Sequence, residues 1–448
     1  MFIRNLPAST HRILELLRTE PKAVRGNLLP VIKRMMKKRK RILQLAEKHR
    51  TPFYLVDEAQ LEESIRGFSA SFRRYLPDCS PFYAVKANQH PYILQSVVRH
   101  GYGLDVSSGR ELQIALEQKA KSILFSGPGK TQEELKLALR HCNRVTINID
   151  SFSELAKLGA LAEQRRKTVR AGVRIYSKAH TSWNKFGIPL PELKRFWSMA
   201  KKYKHIDLQG IHFHLSWNRD ATKYVHVLSE LGAYLRQEFD PDTLRSIRFI
   251  DFGGGFYPDR TEGYYPWTVH YPGMLPTGAI VRLANIYFGT ETKFSDRYHI
   301  STSDTLDHFA RDIGKAIKEH IRPLLPDCVY YTEPGRIICT KAMHIVLQVA
   351  DAKSPDAVIT DGGVNIAGWE YGEHFYNPLL NLTHPSQKEI PCTLYGSLCT
   401  PHDIWGYYCY ASALEEEDVI LVPNQGAYRY SLAQNFIKSI PETYILRR

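Results

Sequence analysis

The sequence predicts an α/β fold: a closed (β/α)8 barrel followed by a smaller C-terminal β domain. Three observations carry this. Eight short apolar runs alternate with amphipathic helical stretches between Phe82 and Thr332. Polar, reactive and glycine residues recur at the C-terminal end of run after run, which is where barrel enzymes build their sites. After Arg336 the helical periodicity fades, and β-rich runs punctuated by Gly and Pro take over. A doubly wound open sheet is the alternative that the same alternation permits.

The elements follow in order. Residues 1–50 read as a basic helical extension. Ile32, Met35, Met36, Ile42, Leu43 and Ala46 fall near helical spacing within the run Lys33, Arg34, Lys37, Lys38, Arg39, Lys40 and Arg41. The run reads as the solvated face of an amphipathic helix. Pro52 disfavours helix at Thr51 and ends it. The expected strands are Phe82–Val85, Gly103–Val106, Ile123–Phe125, Val145–Ile149, Ala171–Ile175, Leu208–Phe213, Ile247–Phe252 and Val329–Thr332. Helices are expected at Glu111–Gln118, Glu133–Leu139 and Glu154–Arg165, each apolar on one face. The barrel is expected over 51–340 and the β domain over 341–448, with runs at His344–Val349, Ala357–Thr360 and Val419–Val422. An insertion at about 258–325 interrupts the barrel. It contains Tyr264-Tyr265-Pro266-Trp267, Tyr271-Pro272 and Tyr287-Phe288, and its aromatic content argues for an ordered lid or specificity element.

Composition narrows the function. The chain has 448 residues, a hydrophobic fraction of 43% and a net charge of +14. Its mean hydropathy is -0.33, the profile of a soluble globular protein. No apolar run is long enough to span a bilayer. Arg4, His11, Arg12, Glu15 and Arg18 interrupt any signal-peptide core. Seven cysteines without metal-type spacing suit a reducing cytoplasm. HExxH, Walker A and CxxC motifs are absent. The positive charge suggests attraction to anions, yet no motif supports nucleic-acid binding.

Lys86 is the most informative residue. It ends the apolar run Phe82-Tyr83-Ala84-Val85, where burial of an ammonium is costly. Desolvation would lower its pKa and make the amine a nucleophile able to hold an aldehyde as a Schiff base. A lysine simply leaving a strand into solvent fits the same segment. Asp251-Phe252-Gly253-Gly254-Gly255-Phe256 places three glycines after a strand, suiting either a phosphate contact or a plain tight turn. Glu333-Pro334-Gly335-Arg336 is either an anion-handling turn or a local ion pair. His212 and His214 share one strand face at a spacing compatible with a metal, but no carboxylate or cysteine lies close by in sequence, so no metal is expected. Cys399 with Asp403, and Gly426-Ala427-Tyr428, complete the candidates.

Taken in order, these residues resemble the pyridoxal-phosphate-dependent decarboxylases of the alanine-racemase-like barrel class, a group that includes ornithine, arginine and diaminopimelate decarboxylases. The matches begin with Tyr83-Ala84-Val85-Lys86-Ala87-Asn88, then Asp105 with Ser108 and Glu111, and Ser126-Gly127-Pro128 with Lys130. They continue with Asp150-Ser151 and Glu154, Lys185-Phe186-Gly187, Gly210 with His212 and His214, Asp251 through Phe256, and Glu333 through Arg336. Cys399 with Asp403 and Gly426-Ala427-Tyr428 close a series covering roughly residues 51 to 440.

The resemblance implies roles. Lys86 holds pyridoxal 5'-phosphate, with Asp105 and Arg174 in the same site. His214 stacks on its ring and Glu333 partners the ring nitrogen. Ser216, Gly254, Gly255, Gly335, Arg336 and Tyr428 contact the phosphate. Cys399, supplied by a second subunit of a homodimer, donates a proton. Asp361, Thr400 and Asp403 meet the substrate. The implied activity is decarboxylation of an amino acid or an amino-acid-derived intermediate. A racemase on the same barrel, or a non-catalytic homologue that binds the cofactor, remains the alternative.

The chain also departs from the pattern. Relatives usually carry His-x-Gly-Ser where this chain has His214-Leu215-Ser216-Trp217, which shifts the hydroxyl by one place. The often acidic residue after the cysteine is Thr400. Near Trp369 the chain lacks the arginine of diaminopimelate decarboxylases, while Glu370, Glu373 and His374 stand close by. A pocket without that guanidinium is expected to hold a second substrate carboxylate poorly and to meet a cationic or polar tail instead.

Overall fold

The computed structural model describes residues 29–180, 185–264, 299–368 and 375–447. Helix α1 (Leu29–His49) leads into strand β1 (Phe53–Asp57). Eight further strands follow: β2 (Cys79–Ala84), β3 (Gly103–Val106), β4 (Ile123–Phe125), β5 (Val145–Ile149), β6 (Val169–Tyr176), β7 (Ile206–His212), β8 (Phe249–Asp251) and β9 (Val329–Thr332). They pair in parallel in the order β5-β4-β3-β2-β9-β8-β7-β6, and β5 pairs with β6 to close the ring. The (β/α)8 barrel is therefore the observed fold. Strand β5 is buried along its whole length, Thr146 and Asn148 included, because both faces of the barrel wall are covered.

Local chemistry sets where each helix begins. Ser108, Thr131 and Ser151 each accept a backbone N–H at the start of the helices Gly109–Glu117, Gln132–Arg140 and Phe152–Arg165. Glu134 returns the favour to Thr131 and completes a capping box. These caps stop the chain just past the strand ends and turn it outward, leaving the C-terminal rim of the barrel to loops.

Several expectations change. The strand expected at Phe82–Val85 starts at Cys79 and ends at Ala84, and Lys86 lies beyond it in a short 3-10 turn, Val85–Ala87. The insertion is also shorter than 258–325. Helix Leu306–Ala316 belongs to the barrel shell, with Phe309 and Ile313 in the barrel core and Asp307 bonded to Tyr75 (2.8 Å) and Arg74 (2.7 Å). The roots of the insertion, Gly263–Tyr264 and His299–Ile300, pair with each other, and the first also pairs with Phe375–Tyr376. Residues 265–298, which the lid expectation concerns, lie outside the described residues, as do residues 1–28 and Trp369, Glu370, Glu373 and His374.

The second sheet contains β10 (Met343–Ser354), β11 (Ala357–Thr360), β12 (Pro385–Tyr395), β13 (Ile404–Ala411), β14 (Val419–Val422) and β15 (Thr443–Leu446). It also contains β1, which corrects the expected barrel boundary at residue 51. β1 pairs antiparallel with β10 (Phe53 opposite Val346) and parallel with β15 (Tyr54 opposite Thr443). Its alternation explains the placement: Tyr54 and Val56 pack into the barrel-side core, while Phe53 and Leu55 face the other way. There α1 covers them with Ile32, Met35, Ile42 and Ala46. The basic run is thus only partly a solvated face. Lys33, Lys37, Lys40 and Arg41 are exposed, but Lys38 pairs with buried Asp57, Arg34 bonds Glu63 at 3.1 Å, and Arg39 donates to the Leu382 and Thr383 carbonyls.

Candidate active site

The C-terminal rim gathers the sequence-predicted residues from distant parts of the chain. Lys86, past β2, points its Nζ to within 3.7 Å of Asp105 Oδ2 in β3. Asp105 is buried, and neither of its oxygens receives a well-formed hydrogen bond. Burial raises the Asp105 pKa, and nearby Glu333 adds to that, while Lys86 opposes it. For Lys86, burial pulls the pKa down, but Asp105 and then Glu333 outweigh it and leave the amine above its ordinary value. The desolvated, lowered amine expected from sequence is therefore not what the resting site holds. Two carboxylates keep Lys86 charged.

Glu333, just past β9, is buried at the base of the same cavity. Its Oε2 lies 2.8 Å from His214 Nδ1, its Oε1 lies 3.2 Å from His212 Nε2, and Ser126 Oγ donates to Oε1 at 3.3 Å. Burial pushes its pKa up, but the two imidazoles more than reverse this and hold it well below the carboxylate range. The Gly254 N–H also approaches His214 Nδ1, at 3.3 Å. One nitrogen cannot donate and accept at once, and the shorter contact to a carboxylate makes Nδ1 the donor. His212, His214 and Glu333 have metal-ligand spacing, with ligand atoms all within 4.8 Å of one another. Arg174 closes the wall, bonding the Ser126 carbonyl at 3.3 Å, 3.8 Å from Asp150, and 4.4 Å over the Phe186 ring. Asn148, which the sequence reading missed, donates to Ser126 (3.2 Å) and Asp251 (3.1 Å) and braces this layer. A polar residue inside an apolar barrel strand was the available signal.

A second cavity of about 340 Å³ adjoins the first and shares Lys86, His214, Ser216, Trp217, Glu333 and Tyr428 with it. Its floor is backbone. A Cβ on Gly254 would lie 2.1 Å from the Glu333 carbonyl oxygen, and one on Gly255 would lie 1.9 Å from the Leu215 carbonyl. Glycine is required at both. A Cβ on Gly335 would meet the Ala87 methyl at 2.8 Å. Tyr428, itself at a positive φ of 67°, donates its N–H to the Ala87 carbonyl at 2.6 Å, tying the β domain to the lysine turn. Arg336 lies 3.8 Å from Glu262, which accepts a hydrogen bond from the Tyr257 hydroxyl. Trp217, Tyr257 and Glu262 at this end were not foreseen as site residues. They come from the altered His214–Trp217 run and from the root of the insertion.

The expected substrate group sits elsewhere within one chain. Asp403 is buried and accepts the Val364 and Leu398 N–H groups, both at 2.7 Å, so it shapes its loop. Asp361 accepts the Gln348 N–H at 2.9 Å and lines a separate groove with Lys438. Thr400 donates its N–H to the Leu398 carbonyl at 2.8 Å. Cys399 is exposed. None of the four lines the Lys86 cavities.

The residues present fit a phosphorylated pyridine aldehyde. A lysine faces an underbonded buried carboxylate, an anionic glutamate waits deeper in the same cavity, and a side-chain-free floor lies beside an arginine. Fold and site together define a pyridoxal-phosphate barrel protein. Comparison with known proteins agrees. Residues 61–270 match the family described as pyridoxal-dependent decarboxylase, pyridoxal binding domain. Over that segment the chain is similar to the pyridoxal-binding domain of this decarboxylase family. It is 24% identical to a diaminopimelate decarboxylase of Campylobacter jejuni, over 88% of this chain and 90% of that one. It is 26% identical to a 2-[(L-alanin-3-ylcarbamoyl)methyl]-2-hydroxybutanedioate decarboxylase of Staphylococcus aureus, over 88% and 94% respectively. Among solved structures, diaminopimelate decarboxylase of Methanocaldococcus jannaschii with L-lysine superposes at a TM-score of 0.73, with 23% identity and coverage of 90% and 89%. Lysine/ornithine decarboxylase of Vibrio vulnificus with putrescine superposes at 0.70, with 20% identity and coverage of 92% and 98%.

Proposed function

We propose that this protein is a carboxy-lyase that removes the α-carboxyl group of an amino acid as CO2, with pyridoxal 5'-phosphate held on Lys86. The observation that carries the reading is Lys86 in a cavity at the barrel rim, with Glu333 on the cavity wall and buried Asp105 3.7 Å from its Nζ. The bound cofactor supplies the electron sink for the pair left behind when CO2 departs. Glu333, kept anionic by His212 and His214, would hold a proton on the ring nitrogen. Gly254, Gly255, Gly335, Arg336, Ser216 and Tyr428 would hold the phosphate, and Arg174 and His214 the ring. Lys86, charged between Asp105 and Glu333, gives up a proton before its amine can act as a nucleophile. Asp105, raised toward neutrality, is placed to take that proton.

Cys399 as proton donor belongs to the same proposal. It stands outside the cavities of its own chain, which supports its delivery to a second subunit's site in a homodimer. All seven cysteines are unpaired, in keeping with the cytoplasm. Among the described residues no helix is long and apolar enough to cross a membrane.

Borohydride reduction of the cofactor-loaded protein followed by peptide mapping tests the core claim. The label is expected on Lys86 and is expected to disappear in Lys86→Ala, together with CO2 release. A label on another lysine overturns the proposal. Loss of optical rotation without CO2 establishes a racemase instead, and a protein that binds the cofactor yet turns over no amino acid is a non-catalytic homologue.

A further inference from the structure

Helix α1 seals the second sheet over only part of its length. Ile42 and Ala46 are buried against it, but toward the start of the helix Ile32 and Met36 line a cavity of about 510 Å³ between helix and sheet. That volume falls within the roughly 300–1,000 Å³ of small-molecule sites. The walls are apolar, with Ile32 and Met36 on the helix side and Leu380, Pro385 and Tyr410 on the sheet side. Two polar residues of the lining spend their side chains elsewhere. Asn381 donates to Asp418 at 2.6 Å and accepts the Thr383 N–H at 2.8 Å, and Ser386 Oγ accepts the Lys388 N–H at 3.0 Å. Charge enters from one side. Lys33 and Lys37, both exposed and one turn apart on the same face of α1, line the cavity, and among the described residues no carboxylate lines it with them. Arg34, Lys38 and Arg39 of the same run are engaged with Glu63, Asp57 and the Leu382 and Thr383 carbonyls instead.

The cavity stands apart from the reaction site and from the loop that carries Cys399. It shares no lining residue with the Lys86 cavities. Pro385, with Ala411 opposite, opens the β12–β13 hairpin, while Tyr395, with Ile404 opposite, leads into the Cys399 loop. The eleven residues of β12 separate the two ends by about 30 Å. Apolar walls favour a hydrocarbon chain because burial removes it from water. Two ammonium groups at the mouth favour an anionic end on that chain and disfavour a cationic one. We propose that the cavity under α1 binds an anionic amphiphile, an unbranched aliphatic carboxylate, with its chain against Met36, Leu380 and Tyr410 and its carboxylate at Lys33 and Lys37. This site is additional to the pyridoxal-phosphate site and does not rest on the decarboxylase reading.

The test is calorimetric titration of the cofactor-loaded full chain with decanoate, kept below its micelle-forming concentration. Saturable binding of one decanoate per chain is expected. Decyltrimethylammonium, which has the same chain and the opposite charge, is expected to bind at least tenfold more weakly. Lys33→Glu combined with Lys37→Glu is expected to weaken decanoate at least tenfold, and Met36→Trp, which fills the cavity, is expected to abolish binding. Should the tryptophan variant not fold, Lys33→Gln with Lys37→Gln, at two exposed positions, is expected to weaken decanoate in the same direction. Equal binding of the two amphiphiles, binding unchanged in the lysine variants, or the absence of a saturable site overturns the proposal. Vesicles of phosphatidylglycerol distinguish a membrane surface from a free ligand. A protein that binds the vesicles but not decanoate uses these lysines against a lipid surface, which also overturns the cavity as a binding site.

Discussion

The guanidinium of Arg336 lies 4.6 Å from the ring centre of Trp217, with the Tyr428 ring at 4.8 Å and the Tyr257 ring at 5.3 Å. Trp217 stacks on Tyr257 at 5.6 Å and occupies a positive φ of 59°. The tryptophan thus stands where relatives place a hydroxyl and walls in the arginine at the proposed phosphate end. A cation held over an aromatic ring gains about 0.5–2 kcal/mol. Trp217→Ser is expected to weaken cofactor affinity about two- to thirtyfold, the same energy expressed as a ratio. Equilibrium titration by visible absorbance measures this, and unchanged affinity would remove Trp217 from the site.

The glycine floor separates two costs. Gly255 has a φ of 93°, and an added Cβ would lie 1.9 Å from the Leu215 carbonyl oxygen. Gly101 has a φ of 86° but open space around it. Gly101→Ala is expected to cost about 1 kcal/mol from backbone strain alone. Gly255→Ala forces the backbone to move and is expected to cost about 2–4 kcal/mol. Urea unfolding of both variants checks the difference.

Helix α1 is expected to contribute through packing more than through charge. Ile42 is fully buried against the second sheet, while neighbouring Arg41 is exposed. Ile42→Ala is expected to destabilise by about 2–5 kcal/mol, and Arg41→Ala by less than about 0.5 kcal/mol. Equal effects in thermal or denaturant melts would contradict the role of α1 as a cover.

Acid should unfold the protein partly through His344. This residue is fully buried, accepts the Asn424 N–H at 3.1 Å, and has its pKa lowered from 6.5 to about 4. Burial is the main cause; Asp57 opposes it, and Lys38 and Arg34 reinforce it. Between pH 6.5 and 4 the unfolded chain binds a proton here that the folded protein does not. Stability therefore falls as pH drops through that window, by about 1.4 kcal/mol per pH unit for one histidine. His344→Gln is expected to flatten the measured slope by about one proton. An unaltered slope would assign the acid sensitivity elsewhere.

Much of this was legible in the chain itself. Strands Gly103–Val106, Ile123–Phe125, Val145–Ile149 and Val329–Thr332 lie where the apolar runs end, because burial on both faces and a capped turn are written into adjacent residues. Lys86, Glu333 and the glycines were visible for the same reason, as polar breaks at strand ends. The partners were not. Nothing local says that Phe53–Asp57 pairs with residues near 345 and 444, since its alternation suits any sheet. Nothing local says that Asp403 spends its oxygens on the backbone.

Residue order alone determined the barrel, its reactive rim and the lysine at its centre, since periodicity and strand-end chemistry are properties of neighbours. The tertiary structure decided the charge of Lys86, the grip of two histidines on Glu333 and which cations of α1 find buried partners. Those depend on electrostatic distances between residues far apart in the chain, which only the closed fold sets.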